Sequence, residues 1–188
     1  MKKLLFVNAC IRENSRTEEL SRQYLKNLEN EYQIEEVQLS KLDIRPFDAA
    51  MLKERDEDIF QGRFDSEKYF PAHQFAEADS IVIAAPYWDC LFPAVLRVYL
   101  EHICVTGITF AYGENGKLIK KCHADQLNYI TTCGGFLPEN SAVEKTIREM
   151  GRLFSIEKIS FYAAEALDIF PDKVEEILGK KLNEIMKY

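Results

Sequence analysis

Apolar positions along this chain switch between two periods, and the switches mark its elements. Leu4 to Val7 is a continuous apolar run, as expected of a central parallel strand covered on both faces. Leu20, Tyr24 and Leu28 then recur every four residues, which predicts a helix over 17–30. Ile34, Val37 and Leu39 alternate only partly and predict a second strand over 33–39. Ser80 to Ala85 reads as a third, fully buried strand, running directly into Pro86-Tyr87-Trp88-Asp89-Cys90-Leu91-Phe92-Pro93. Pro93 opens a helix to about Cys104 with Leu96, Leu100 and Ile103 at core spacing. Asn115-Gly116, between apolar segments, predicts a hairpin turn. Leu127 to Thr132 is the fourth sheet strand and ends at Cys133-Gly134-Gly135. Ser141 and Glu144 form a capping box for a helix to about Phe154. Ile156 to Ala164 is the fifth strand, and Pro171 to Met186 the closing helix.

Strands alternating with helices and joined by short connections predict an α/β chain with a doubly wound parallel sheet. Five strands in the order 2-1-3-4-5, in three αβα layers, are the flavodoxin-like arrangement, here spanning 1–188 as a single domain. In such sheets ligands bind beyond the carboxyl ends of the strands, in the crevice between strands one and three. The stretch from Ser40 to Asp79 is a charged excursion. Its run Lys53-Glu54-Arg55-Asp56-Glu57-Asp58 predicts a solvated helix face rather than a binding patch.

A net charge of −7 argues against a nucleic-acid or anionic-membrane surface. Met1 to Asn8 has a signal-like start, but Arg12, Glu13 and Arg16 follow at once, so a first strand is expected there. No apolar stretch reaches membrane-spanning length, and the expectation is a cytoplasmic protein. The five cysteines are odd in number and none form C-x-x-C, so neither a disulfide framework nor a metal site is expected.

Two loops carry the chemistry. Cys10-Ile11-Arg12-Glu13-Asn14-Ser15-Arg16-Thr17 joins the first strand to the first helix, where amide groups and the helix dipole favour an anion. Ser15 and Thr17 offer hydroxyls and Arg16 a charge, so a phosphate is expected; the competing use of Ser15 and Glu18 is a capping box. Neither G-x-x-x-x-G-K-[ST] nor G-x-G-x-x-G is present. Cys10 with Arg16-Thr17 does match C-x₅-R-[ST], the loop of low-molecular-weight tyrosine phosphatases, in which a thiolate attacks phosphorus. That loop contains no glycine. In the second loop, Tyr87 and Trp88 offer a platform for a flat ring at a strand end; otherwise they are packing residues of a core or subunit interface.

Taken together, these segments resemble the FMN-dependent NAD(P)H:quinone oxidoreductase and azoreductase family over essentially the whole chain. The resemblance implies that Cys10, Ser15, Arg16 and Thr17 line the FMN phosphate. It implies that Pro86, Tyr87, Trp88, Asp89 and Cys90 lie against the flavin ring, and that Thr132, Cys133, Gly134 and Gly135 meet its edge. It further implies FMN as cofactor, NADH or NADPH as electron donor, a quinone, azo compound or similar acceptor, ping-pong turnover, no catalytic side chain, and a homodimer with the flavin near its interface. The chain departs from the family where Cys10 stands for a serine, and where Asp89 and Cys90 stand for an amide and an aromatic. An ionised Asp89 close to the ring would lower the flavin potential. The competing readings are a phosphatase using Cys10 and Arg16, and a non-catalytic flavodoxin-like electron-transfer module.

Overall fold

A computed structural model describes residues 1–187. Strand β1 (Lys2–Asn8) is followed by α1 (Arg16–Lys26), β2 (Tyr32–Gln38), α2 (Ala49–Gln61), α3 (Phe70–Glu77), β3 (Ser80–Ala84) and α4 (Ala94–Ile103). A short antiparallel hairpin, β4 (Phe110–Tyr112) and β5 (Leu118–Lys120), precedes β6 (Gln126–Thr132), α5 (Ala142–Leu153), β7 (Lys158–Ala164) and α6 (Val174–Ile185). The five long strands form one parallel sheet in the order β2-β1-β3-β6-β7. With the hairpin set aside this is the expected 2-1-3-4-5 order.

Burial explains which strands were plain in the sequence. All five residues of β3 are buried, and so are the last five of β1, because helices cover both faces. At the sheet edge, β2 buries only Val37, which is why its pattern is weak. One face packs on α1 and α6 through Leu20, Tyr24, Leu25, Leu178 and Ile185. The other packs on α3, α4 and α5 through Phe75, Leu96, Tyr99 and Ile147. Leu96 and Tyr99 are fully buried, and truncating Leu96 to alanine costs about 2–5 kcal/mol by the usual cavity arithmetic.

Three expectations need correction. The first helix ends at Lys26 rather than near 30, because the Asn27 N–H turns back to Tyr24 and Leu25 and closes the last turn. The excursion over 40–79 holds two helices. Alpha2 is the expected charged one, with Leu52 and Phe60 exposed, whereas α3 buries Pro71, Ala72, Phe75 and Ala76 with Pro in its first turn. Pro171 belongs to a short 3₁₀ turn that leads into α6 rather than to the helix itself.

Candidate functional site

At the carboxyl edge of the sheet the loops after β1, β3, β6 and β7 surround a pocket of about 440 Å³. Its wall takes in Ile11 through Thr17, Pro86 through Trp88, Thr132 through Gly134, Leu167 and Asp168. The strand order places the pocket where the two halves of the sheet diverge, as the sequence predicts.

The loop after β1 is braced from below. Ala9 donates its N–H to the Ala84 carbonyl at 2.8 Å, Cys10 donates its N–H to Asn8 Oδ1 at 3.0 Å, and Gln38 Nε2 donates to the Cys10 carbonyl at 2.8 Å. Positive φ, which a glycine would ordinarily supply, comes from Asn14 at 59°. Ser15 is then the N-cap of α1, its Oγ accepting the Glu18 N–H at 3.3 Å. The capping role is therefore real, and it leaves the hydroxyl hydrogen available to donate. The amides of Arg16 and Thr17, first in the helix, have no intrahelical acceptor. An anion in the pocket would meet those amides and the positive end of the α1 dipole.

Thr17 and Thr132 serve differently from the expectation. Their hydroxyls hydrogen-bond each other at 2.7 Å, with Thr17 fully buried, so the pair ties α1 to the end of β6 rather than presenting two hydroxyls to a ligand. Cys10 is also no phosphate ligand by its side chain. It is buried, and its thiol lies 3.8 Å from the Ala84 carbonyl. Burial pushes its pKa up to about 11, against a smaller opposing hydrogen bond from Ser15. A buried thiol that stands off the pocket wall is not placed to attack a group bound there, which argues against the phosphatase reading.

The loop after β3 is a two-residue turn. Trp88 and Leu91 exchange both backbone hydrogen bonds, at 2.8 and 2.9 Å, and Asp89 and Cys90 both have positive φ, 49° and 66°. Positive φ at both central residues is what a type I′ turn requires. Tyr87 donates its N–H to the Thr132 carbonyl at 3.0 Å, which anchors the loop on β6. Pro86, Tyr87 and Trp88 face the pocket, whereas Asp89 and Cys90 form the exposed tip of the turn and stand outside the wall. Burial, with the Cys90 thiol next, raises the Tyr87 phenol, so it remains a donor.

The loops after β6 and β7 zip together. Ala166, Leu167 and Asp168 donate their N–H groups to the carbonyls of Gly135, Cys133 and Gly134, at 2.7, 3.2 and 3.0 Å. A Cβ on Gly134 would lie 2.1 Å from Asp168 Oδ2, so glycine is what allows this close approach. Gly135 meets no such neighbour and, like Asp89 and Cys90, is not part of the pocket wall. Cys133 does face the pocket; its thiol donates to the Gly135 carbonyl at 3.1 Å and is raised to about 11, mainly by burial.

Asp168 is a site residue that the sequence reading did not place at the pocket. Its carboxylate takes a hydrogen bond from Arg16 Nη1 at 2.9 Å, strapping the loop after β7 to the start of α1. Arg12 is a second: its guanidinium lies over the Trp88 ring, 5.1 Å from the centroid. Asp168 gives no local signal, since its partner is distant in the sequence. Arg12 lies in the loop between β1 and α1, but only the fold brings Trp88 beside it.

The donor set fits FMN. Free first-turn amides, a serine hydroxyl and a guanidinium suit a phosphate, and Pro86 to Trp88 with the unpartnered Gly134 N–H suit a flat, hydrogen-bonding ring. For a ring to stack on the covered face of Trp88, Arg12 must move aside.

Residues 2–188 match a family profile described as a flavodoxin-like fold. An FMN-dependent NADH:quinone oxidoreductase of Coprothermobacter proteolyticus is 32% identical over all of this chain and 96% of that protein. FMN-dependent NADH:quinone oxidoreductase 2 of Clostridium acetobutylicum is 37% identical over 60% of this chain and 58% of that one, a match of little more than half its length. A crystal structure of an azoreductase from Bacillus anthracis superposes with a TM-score of 0.84, covering 100% of this chain and 98% of the other at 24% identity. That structure shares the fold.

Proposed function

Because the chain belongs to the flavodoxin-like family and matches an FMN-dependent NADH:quinone oxidoreductase over its whole length, we propose that it moves two electrons from NADH or NADPH to a quinone, azo compound or similar acceptor through bound FMN. One observation carries the reading beyond similarity: a single pocket joins a helix start with unsatisfied amides to an aromatic strand-end loop, the two ends of a phosphorylated flat cofactor.

When bound, the flavin supplies the hydride acceptance and release. The chain supplies the rest. The Arg16 and Thr17 amides and the Ser15 hydroxyl hold the phosphate, and Arg16, steadied by Asp168, adds charge. Pro86, Tyr87 and Trp88 would orient the ring, with the Thr132–Gly134 backbone toward its edge. Ile11 and Leu167 add apolar wall that excludes water. No side chain need act as a nucleophile, and with FMN held there donor and acceptor would use the one pocket in turn, a ping-pong order.

Exposed apolar residues in or beside the pocket loops, Ile11, Phe136, Ile169 and Phe170, support a homodimer that covers the flavin mouth. The acidic balance and five free cysteines support a cytoplasmic place of work. The test is direct: protein purified or reconstituted with FMN is yellow, bleaches on adding NADH or NADPH anaerobically, and recovers its colour when a quinone is added. A protein that takes up no FMN, or whose bound flavin is not reduced by either nucleotide, overturns the reading; a carrier module would hold flavin but fail that reduction.

A further inference from the structure

A second depression, about 830 Å³ in volume and open to solvent, lies beside the pocket, and Ile11, Arg12 and Glu13 border both. It runs from the carboxyl end of β2 to the start of α3, and its size is that of a small-molecule site. The FMN reading leaves it unused. Three kinds of group in it are free to meet a ligand. Phe70, the first residue of α3, is 58% exposed and offers a bare ring. Among the cations, Arg22 is taken up by Glu18 and Glu36, at 2.7 and 2.8 Å, whereas Lys41 has no carboxylate partner among the described residues. Ser40 accepts from Gln38 Nε2 at 3.1 Å and keeps its hydroxyl hydrogen to donate. Glu35 takes a hydrogen bond from the Gln74 amide but has no cation partner among the described residues, so its carboxylate can accept more.

We propose that this depression receives the adenosine diphosphate end of the nicotinamide donor while the nicotinamide works in the neighbouring pocket. The inference rests on the FMN reading above and deepens it. Such a donor carries a flat base, an anionic diphosphate and a ribose with free hydroxyls. Each finds a counterpart: Phe70 for the base, Lys41 and the Ser40 hydroxyl for the diphosphate, and Glu35 for the ribose. The sheet order supports the direction. Over β6 and β7 the pocket is rimmed by the exposed apolar Phe136, Ile169 and Phe170, which offer a diphosphate nothing. Over β1 and β2 it opens toward polar and charged groups. Glu35 also separates the two donors, because a carboxylate accepts from a 2′-hydroxyl and repels a 2′-phosphate.

Two probes divide the donor. Reduced nicotinamide mononucleotide keeps the reacting ring and lacks the adenylate; ADP-ribose keeps the adenosine diphosphate end and lacks the nicotinamide. The experiment follows anaerobic bleaching of the FMN-loaded protein by NADH and by the reduced mononucleotide, and measures ADP-ribose binding by calorimetry. Phe70→Ala and Lys41→Ala change exposed side chains. Each is expected to raise the NADH half-saturation concentration and the ADP-ribose dissociation constant about 5–50-fold, the range for losing a base stack or a charge-assisted hydrogen bond. With the reduced mononucleotide the change stays within about threefold. Glu35→Gln is expected to shift the NADH-to-NADPH preference about threefold or more toward NADPH. Four results would overturn the proposal: ADP-ribose binding untouched by Phe70→Ala and Lys41→Ala, equal losses for NADH and the mononucleotide, no shift with Glu35→Gln, or wild-type protein that treats NADH and the mononucleotide alike. Wild-type protein that takes up no FMN, or whose flavin no donor reduces, would instead overturn the FMN reading.

Discussion

The loops after β1 and β3 both leave central, fully covered strands at the same sheet edge, yet they are built on opposite plans. The loop after β1 offers backbone: a helix begins there with its first amides unpartnered, and Asn8, Gln38 and the Ser15 cap brace it. The loop after β3 works through side chains, and a two-residue turn with no glycine presents Tyr87 and Trp88 while lifting Asp89 and Cys90 into solvent. An anion site can therefore tolerate substitutions that a ring site cannot. Cys10, buried beneath the first loop, and Asp89 and Cys90, on the tip of the turn, all stand off the pocket wall.

The strongest test of the braced plan is the Thr17–Thr132 tie. Thr132→Val leaves a buried Thr17 hydroxyl without its partner, and urea denaturation should show a loss of about 1–3 kcal/mol; the double change Thr17→Val with Thr132→Val should cost less than the single one. The next test contrasts the two cysteines. The Cys10 thiol titrates higher folded than the ordinary thiol value of 9.0, so its contribution to stability is complete below about pH 9 and is lost as pH rises toward 11. Each unit of that shift corresponds to about 1.4 kcal/mol, and Cys10→Ala should flatten the decline of stability across that window in alkaline denaturation. At pH 8 the exposed Cys90 should react first with a thiol reagent, with Cys10 silent until the protein unfolds. Earlier reaction of Cys10 would show that its loop is less well braced than its hydrogen bonds indicate.

A smaller effect belongs to the turn. Cys90→Gly relieves a side chain held at φ 66° and should stabilise by about 0.5–1 kcal/mol, raising the melting temperature by a few degrees. The smallest concerns the potential. Asp89 was expected beside the flavin ring, but on the exposed turn tip water screens it. Asp89→Asn should therefore move the two-electron midpoint by less than the ~30 mV that corresponds to a tenfold change in equilibrium. A dye titration giving a larger rise would place Asp89 closer to the ring than its turn suggests.

The sheet order was readable because covered strands spell themselves as apolar runs, Leu4 to Val7 and Ser80 to Ala84, with helical spacing between them. The ligand crevice followed from that order, and so did the two loops that line it. The third helix escaped because its eight residues sit inside a charged stretch and carry too few turns to show a period. Asp168 escaped for a deeper reason: its meaning lies in Gly134 and Arg16, and no local pattern announces a carboxylate pressed on a distant glycine. Thr17 looked like a phosphate donor and Thr132 like part of the strand end that meets the ring edge, and only their pairing across the pocket shows them to be a fastening.

The Arg16–Asp168 strap joins residues 152 apart in sequence, and the Thr17–Thr132 bond joins residues 115 apart. A growing chain thus exposes the loop after β1 long before anything can close over it. The pocket wall is complete only when β7, whose following loop carries Asp168, has docked at the far edge of the sheet. A cofactor that needs both walls has little affinity for any partly folded form, so its arrival selects finished molecules and draws the folding equilibrium toward them by mass action.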